Sequence, residues 1–104
     1  MIITTTESIP GKSVSKILDV VKGNAIRSRG MGGHIIASLE GIVGGEITAY
    51  QKTLSEARDE ALKRMIEEAK KLKADAVVNI RFTTSDVMQI AAEVLAYGTA
   101  VKLK

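Results

Sequence analysis

Apolar residues recur at Leu54, Ala57, Ala61, Met65, Ala69 and Leu72, with Leu62 and Ile66 widening the stripe, and a β-branched run, VVNIRF, follows at Val77 to Phe82. The first pattern has the period of a helix with one buried face, and the second has the composition of a strand. A short break at Lys73-Ala74-Asp75 separates them. Asp59 and Lys63, Glu60 and Arg64, and Glu67 and Lys71 are each acid-before-base at a spacing of four, which supports the helix and keeps its other face in water. Thr53 with Glu56 reads as a capping box, although the apolar rhythm runs back through Tyr50 and Ile47, so the start lies either at Thr53 or nearer Gly45. Helix, tight turn and strand form the unit on which the rest of the chain is built.

On either side of this unit the chain reads as strand material. Ile2 to Thr6 is a short β-rich run ended by a Pro10-Gly11 turn. Lys12 to Ile26 reads as a long strand bent near Gly23-Asn24, with a short helix over Val14 to Val21 as the competing assignment. Gly30-Met31-Gly32-Gly33 forms a joint, and His34 to Val43 carries Ile35, Ile36, Leu39 and Val43 at helical spacing, which predicts a short helix ended at Gly44-Gly45. Glu93 to Leu103 is a closing strand apolar on both faces, and Thr83 to Asp86 is the polar turn before it. The prediction is a single α+β domain over residues 1–104, an antiparallel sheet packed against one long helix with a short helix before it.

Composition narrows the chemistry. With 104 residues the chain supports one core, and with only Phe82, Tyr50 and Tyr97 as aromatics it is poorly equipped to stack bases or flat cofactors. No cysteine is present, which excludes disulfides, thiolate nucleophiles and thiolate zinc sites and points to the cytoplasm. The N-terminus has neither a basic region nor an apolar core of a signal peptide, and no stretch reads as a membrane span. A net charge of +3 permits an anionic partner, but no nucleic-acid-binding motif accompanies it. The two glycine clusters, Gly30/Gly32/Gly33 and Gly41/Gly44/Gly45, lack the lysine and hydroxyl residue of a phosphate loop and read as helix breaks.

Six polar residues are the candidate ligand-binding set. Arg27 and Arg29 precede His34, the only histidine, and a metal geometry for it requires one copy from each subunit around an axis. Asn79 and Arg81 alternate with Val78, Ile80 and Phe82, which predicts a polar strand face that lines a cavity or meets another subunit. Glu93 sits among apolar neighbours, where a buried carboxylate calls for a partner such as Arg81. No arrangement of nucleophile, base and orienting acid is visible, so no catalytic residue, cofactor or enzymatic activity is predicted.

The blocks IVGGEITAY (Ile42 to Tyr50), EARDEALKRM (Glu56 to Met65), ADAVVNIRFTTS (Ala74 to Ser85) and EVLAYGTAV (Glu93 to Val101), with GNAIRSRGMG before them, cover nearly the whole chain. Together they resemble the YbjQ family, small proteins catalogued as heavy-metal-binding domains. The resemblance implies α+β subunits with a dodecin-like strand–helix–strand–strand core and further strands that join subunits into a homopentameric ring. It implies no metal ligands for this chain, because the metal-chaperone chemistry behind the family's description needs a pair of cysteines. One departure is local. Relatives commonly carry glycine where this chain has Lys73, so the helix exit here is either a left-handed lysine, at a cost of about 1 kcal/mol, or a bent right-handed turn. The sequence thus predicts a homo-oligomer that binds a small ligand or ion, with an enzyme or ligand sensor at subunit interfaces as the alternative.

Overall fold

The computed structural model describes residues 1–28, 44–88 and 90–104. In chain order these form strands β1 (Ile2–Ile3) and β2 (Val14–Ser28), helix α1 (Gly44–Lys71), and strands β3 (Ala76–Val87) and β4 (Ala91–Leu103). The four strands make one sheet in the order β1-β3-β4-β2. The sheet is mixed, not antiparallel throughout: β3–β4 and β4–β2 are antiparallel, but β1 runs parallel to β3. Parallel pairing is open to these two strands because β2 and α1 lie between them in the chain and no hairpin joins them.

Helix α1 carries the stripe seen in the sequence. Ala57, Ala61, Met65 and Ala69 are fully buried, with Leu54, Leu62 and Ile66 partly buried around them. They pack on Val21 and Ala25 of β2, Val77 and Ile80 of β3, and Val94, Ala96 and Ala100 of β4. Small residues dominate the helix side of this contact, so the backbones approach closely. At Gly23 an added Cβ would lie 2.3 Å from the Met65 nitrogen and 2.4 Å from the Ala61 oxygen. Gly23 is therefore a contact glycine and not the bend that the sequence suggested; the irregularities of β2 fall earlier, between Val14 and Lys16 and between Ile17 and Asp19. The whole of Val14 to Val21 is strand, which removes the helical alternative.

The helix begins at Gly44, so Thr53 lies well inside it and is not a cap; the longer apolar rhythm was the correct signal. Of the spaced pairs, Glu60 and Arg64 meet at 3.1 Å, whereas Lys71 turns to Glu68 at 3.2 Å instead of Glu67. At the C-terminus the Lys73 N–H donates to the Lys70 carbonyl (2.9 Å) and the Ala74 N–H to the Ala69 carbonyl (3.1 Å), with Lys73 at φ 60°. This pair of bonds is a Schellman motif with lysine in the left-handed position that glycine usually occupies. Leu72, expected on the buried stripe, is 39% exposed because the chain is already leaving the helix there.

Strand β3 holds two further corrections. It continues through Thr83, Thr84, Ser85 and Asp86, read as a turn from the sequence, and reverses only after Val87, where the Ile90 N–H bonds the Val87 carbonyl at 3.2 Å. Polar β-branched and short residues there are on an exposed ladder, where polarity does not signal a turn. The second concerns phase. Val78 pairs with Thr99 but Arg81 pairs with Tyr97, so Asn79 and Ile80 share one opposing residue, Gly98. Asn79, at φ 55°, is the bulged residue. The bulge puts Val78 on one face, with Ala76, Val101, Ile2, Ile9 and Leu103, and Ile80 on the other, against the helix. Val78, Ile80 and Phe82 therefore do not share a face as strict alternation predicts, and Phe82 is 45% exposed. The predicted short helix over His34 to Val43 lies outside the described residues, as does the glycine joint before it.

Candidate functional site

Among the described residues the helix covers one face of the sheet, and the other face is covered only near the β1 end, where Ile2, Ile9 and Leu103 close over Ala76, Val78 and Val101. Beyond that patch no described residue covers the second face. The strand register places three cross-strand rows on it: Ile26, Glu93 and Ser85; Asn24, Leu95 and Thr83; Lys22, Tyr97 and Arg81. Period-two alternation explains the split, since Val21, Gly23 and Ala25 point to the helix and their neighbours to the open side.

The candidate residues are distributed over this architecture and do not converge. Glu93 is half-buried on the open face and accepts a hydrogen bond from the Asn24 Nδ2 at 3.1 Å. Its partner is thus an amide across the β2–β4 ladder and not Arg81. Arg81 stands beside Tyr97, four residues along β4 from Glu93, a separation of about 13 Å along the strand. The Arg81 guanidinium instead donates to the carbonyls of Thr5 (2.9 Å) and Ile80 (2.8 Å), tying the N-terminal segment to β3. Asn79 serves the backbone: its N–H bonds the Thr6 carbonyl at 3.0 Å in the bulge. Arg27 pairs with Ala92 in the register and so belongs to the helix-facing set, opposite to Glu93, and its guanidinium reaches only the neighbouring Ile26 carbonyl at 3.4 Å. Arg29 and His34 lie outside the described residues.

What the open face does concentrate is apolar surface. Ile17, Val20 and Ile26 on β2 are 69%, 66% and 54% exposed, and Tyr97 on β4 is 39% exposed. All but Tyr97 belong to a strand of 15 residues at the sheet edge. A long edge strand with exposed β-branched side chains is the surface that proteins ordinarily guard against pairing. Lys16 and Lys22 give β2 only partial protection of that kind. The signal was present in the sequence, because Val20 and Ile26 alternate with buried Val21 and Ala25, and a strand apolar on both sides needs two coverings.

Three comparisons bear on this arrangement. The family model described as "Putative heavy-metal-binding", YbjQ, matches residues 1–104. A UPF0145 protein of Archaeoglobus fulgidus is 61% identical over 104 residues, covering 100% of this chain and 96% of its own length. UPF0145 proteins of Thermosipho africanus and Vibrio parahaemolyticus are 55% and 50% identical over essentially the whole chain. Among solved structures, a protein of unknown function of the DUF74 family from Pediococcus pentosaceus matches with a TM-score of 0.68 at 20% identity, covering 100% of this chain and 98% of that one, which is a likeness of fold. The residues described here do not fit a soft heavy-metal site. The chain has no cysteine, and among the described residues no three His, Asp or Glu side chains come together. Nor is any helix among them long and apolar enough to cross a membrane.

Proposed function

Because this chain belongs to the YbjQ family, we propose that it is a non-enzymatic, ring-forming subunit, a homopentamer, that uses its open sheet face and the outer edge of β2 to bind neighbouring copies of itself. One observation carries the reading: the 15-residue edge strand β2 presents Ile17, Val20 and Ile26 at more than half exposure. Covering three such side chains removes apolar area worth about 1.5–3 kcal/mol each when burial is complete. The unpaired backbone groups of the edge supply the direction that hydrophobic burial lacks. The pentameric count rests on the family resemblance, and the surface argument supports association only.

Native mass spectrometry together with light scattering on the full chain tests the proposal. The wild-type chain runs as five subunits, and a variant with Val20→Lys and Ile26→Lys runs smaller while keeping its far-UV circular dichroism. A wild-type monomer at micromolar concentration overturns the reading, as does a double variant of unchanged mass. A second reading, a small-ligand site between subunits, is favoured by the Asn24–Glu93 pair. A half-buried carboxylate there has one amide partner and apolar neighbours, and a subunit packed on this face would enclose it.

A further inference from the structure

Helix α1 has a second flank, at the margin of the core, whose Leu62 and Ile66 are only partly buried against the sheet. Arg64 reaches down to the β2 edge, donating to the Asn24 carbonyl at 2.6 Å, so its side of the helix is occupied. Roughly 160° around the helix from Arg64, by the 100° turn per residue, lies Ile66, with Leu62 beside it. There a groove of about 460 Å³ is lined by Asp59, Leu62, Lys63, Ile66, Glu67 and Lys70. The two apolar side chains are partly buried in the middle, and the four charged ones are exposed around them.

The charges are arranged in a particular order. Along the groove they run Asp59, Lys63, Glu67, Lys70, alternating in sign. Among the described residues none of the four side chains makes an ion pair or hydrogen bond, although Glu60–Arg64 and Glu68–Lys71 pair elsewhere on the same helix. Such a sequence is self-complementary when reversed. If a second helix lies antiparallel, related by a two-fold axis passing between positions 64 and 65, Asp59 stands opposite Lys70 of the partner subunit and Lys63 opposite Glu67 of the partner subunit. Leu62 then meets Ile66 of the partner subunit at the centre. At a rise of about 1.5 Å per residue every one of these pairs is level to within about one residue. A parallel arrangement in the same register sets like charges against each other instead.

We propose that this flank is a two-fold, isologous contact between two copies of the chain, distinct from the sheet-face contact of the proposed ring. The apolar centre supplies burial, and the alternating charges fix antiparallel direction and register. One helix flank is a small surface for a stable dimer, so the contact is strong only when several act together. Joined to a ring, it pairs two rings through perpendicular two-fold axes and doubles the number of subunits.

The test uses the full chain, which has no cysteine of its own. With Asp59→Cys and Lys70→Cys introduced together, mild oxidation yields disulfide-linked pairs of chains. Bonding within one helix is impossible there, since the two sites are about 16 Å apart along it and a disulfide needs Cα atoms within about 7 Å. Glu60→Cys with Lys71→Cys, on the other flank, gives the background level. In parallel, Lys63→Glu halves the assembly mass in sedimentation velocity, and Lys63→Glu combined with Glu67→Lys restores it. Cross-linking no greater than background, or a mass indifferent to Lys63→Glu, overturns the proposal. Failure of the ring reading alone leaves a cross-linkable dimer that the reversal at Lys63 converts to monomer, so the two proposals fail separately.

Discussion

Replacing Lys73 by glycine is expected to stabilise the fold, although it deletes a charge and adds no contact. Lys73 is exposed and sits at φ 60°, with its N–H and that of Ala74 closing the Schellman bonds to Lys70 and Ala69. A left-handed backbone costs an L-residue about 1–2 kcal/mol, and glycine escapes that cost because it has no Cβ. Against this, glycine gives the unfolded chain more freedom, which removes about 0.5–1 kcal/mol of the gain. The net stabilisation is about 0.5–1 kcal/mol, or a rise in Tm of about 2–8 °C for a domain of this size. Lys73→Ala is the control. It retains the Cβ and removes the ammonium, so it leaves Tm nearly unchanged. Calorimetry on all three chains at one subunit concentration gives the comparison, since association would otherwise shift Tm by mass action. Asn79 provides an internal check. It also lies in the left-handed region, at φ 55°, but asparagine tolerates that region, so Asn79→Gly gains less than Lys73→Gly. A Lys73→Gly chain no more stable than wild type refutes the assignment of strain to this turn.

Gly23→Ala should destabilise by about 3 kcal/mol or more, because the new methyl meets helix backbone and not a movable side chain; urea unfolding that shows a change below about 1 kcal/mol contradicts the close helix–sheet approach. Glu93→Gln should leave the assembly mass intact, since a glutamine oxygen can still accept from Asn24, while any stoichiometric small molecule retained by the wild-type chain in native mass spectrometry is lost. Equal retention by both chains rules out Glu93 as a ligand group.

The fold was largely legible because its main elements are long and periodic. A stripe built on Ala57, Ala61, Met65 and Ala69 can be read at a spacing of four, and all four residues are fully buried. The misreadings share a cause. Gly23, Asn79 and Thr83 each look like local punctuation, and each answers to something distant in sequence: the helix backbone above Gly23, the single residue Gly98 opposite the bulge, and the β4 ladder beside Thr83. A glycine that permits close approach and a glycine that makes a bend have the same sequence signature. The bulge at Asn79 is the costliest to miss, because one extra residue exchanges the faces of everything after it.

That exchange also explains why the candidate site did not assemble as expected. Strict alternation puts Asn79 and Arg81 together on a polar face, but the bulge gives Asn79 to the backbone and leaves Arg81 beside the N-terminal segment, where its guanidinium holds the Thr5 carbonyl. Arg27 and Glu93, both in the candidate set, lie on opposite faces of the sheet. The legible part of the site is apolar. β2 alternates Val20, Lys22, Asn24 and Ile26 against Val21, Gly23 and Ala25, and a single helix can cover only one of those sets. Among the described residues α1 buries one face of β2 and leaves Val20 and Ile26 exposed on the other, and that exposed face is what the proposed contact with another copy of the chain would cover.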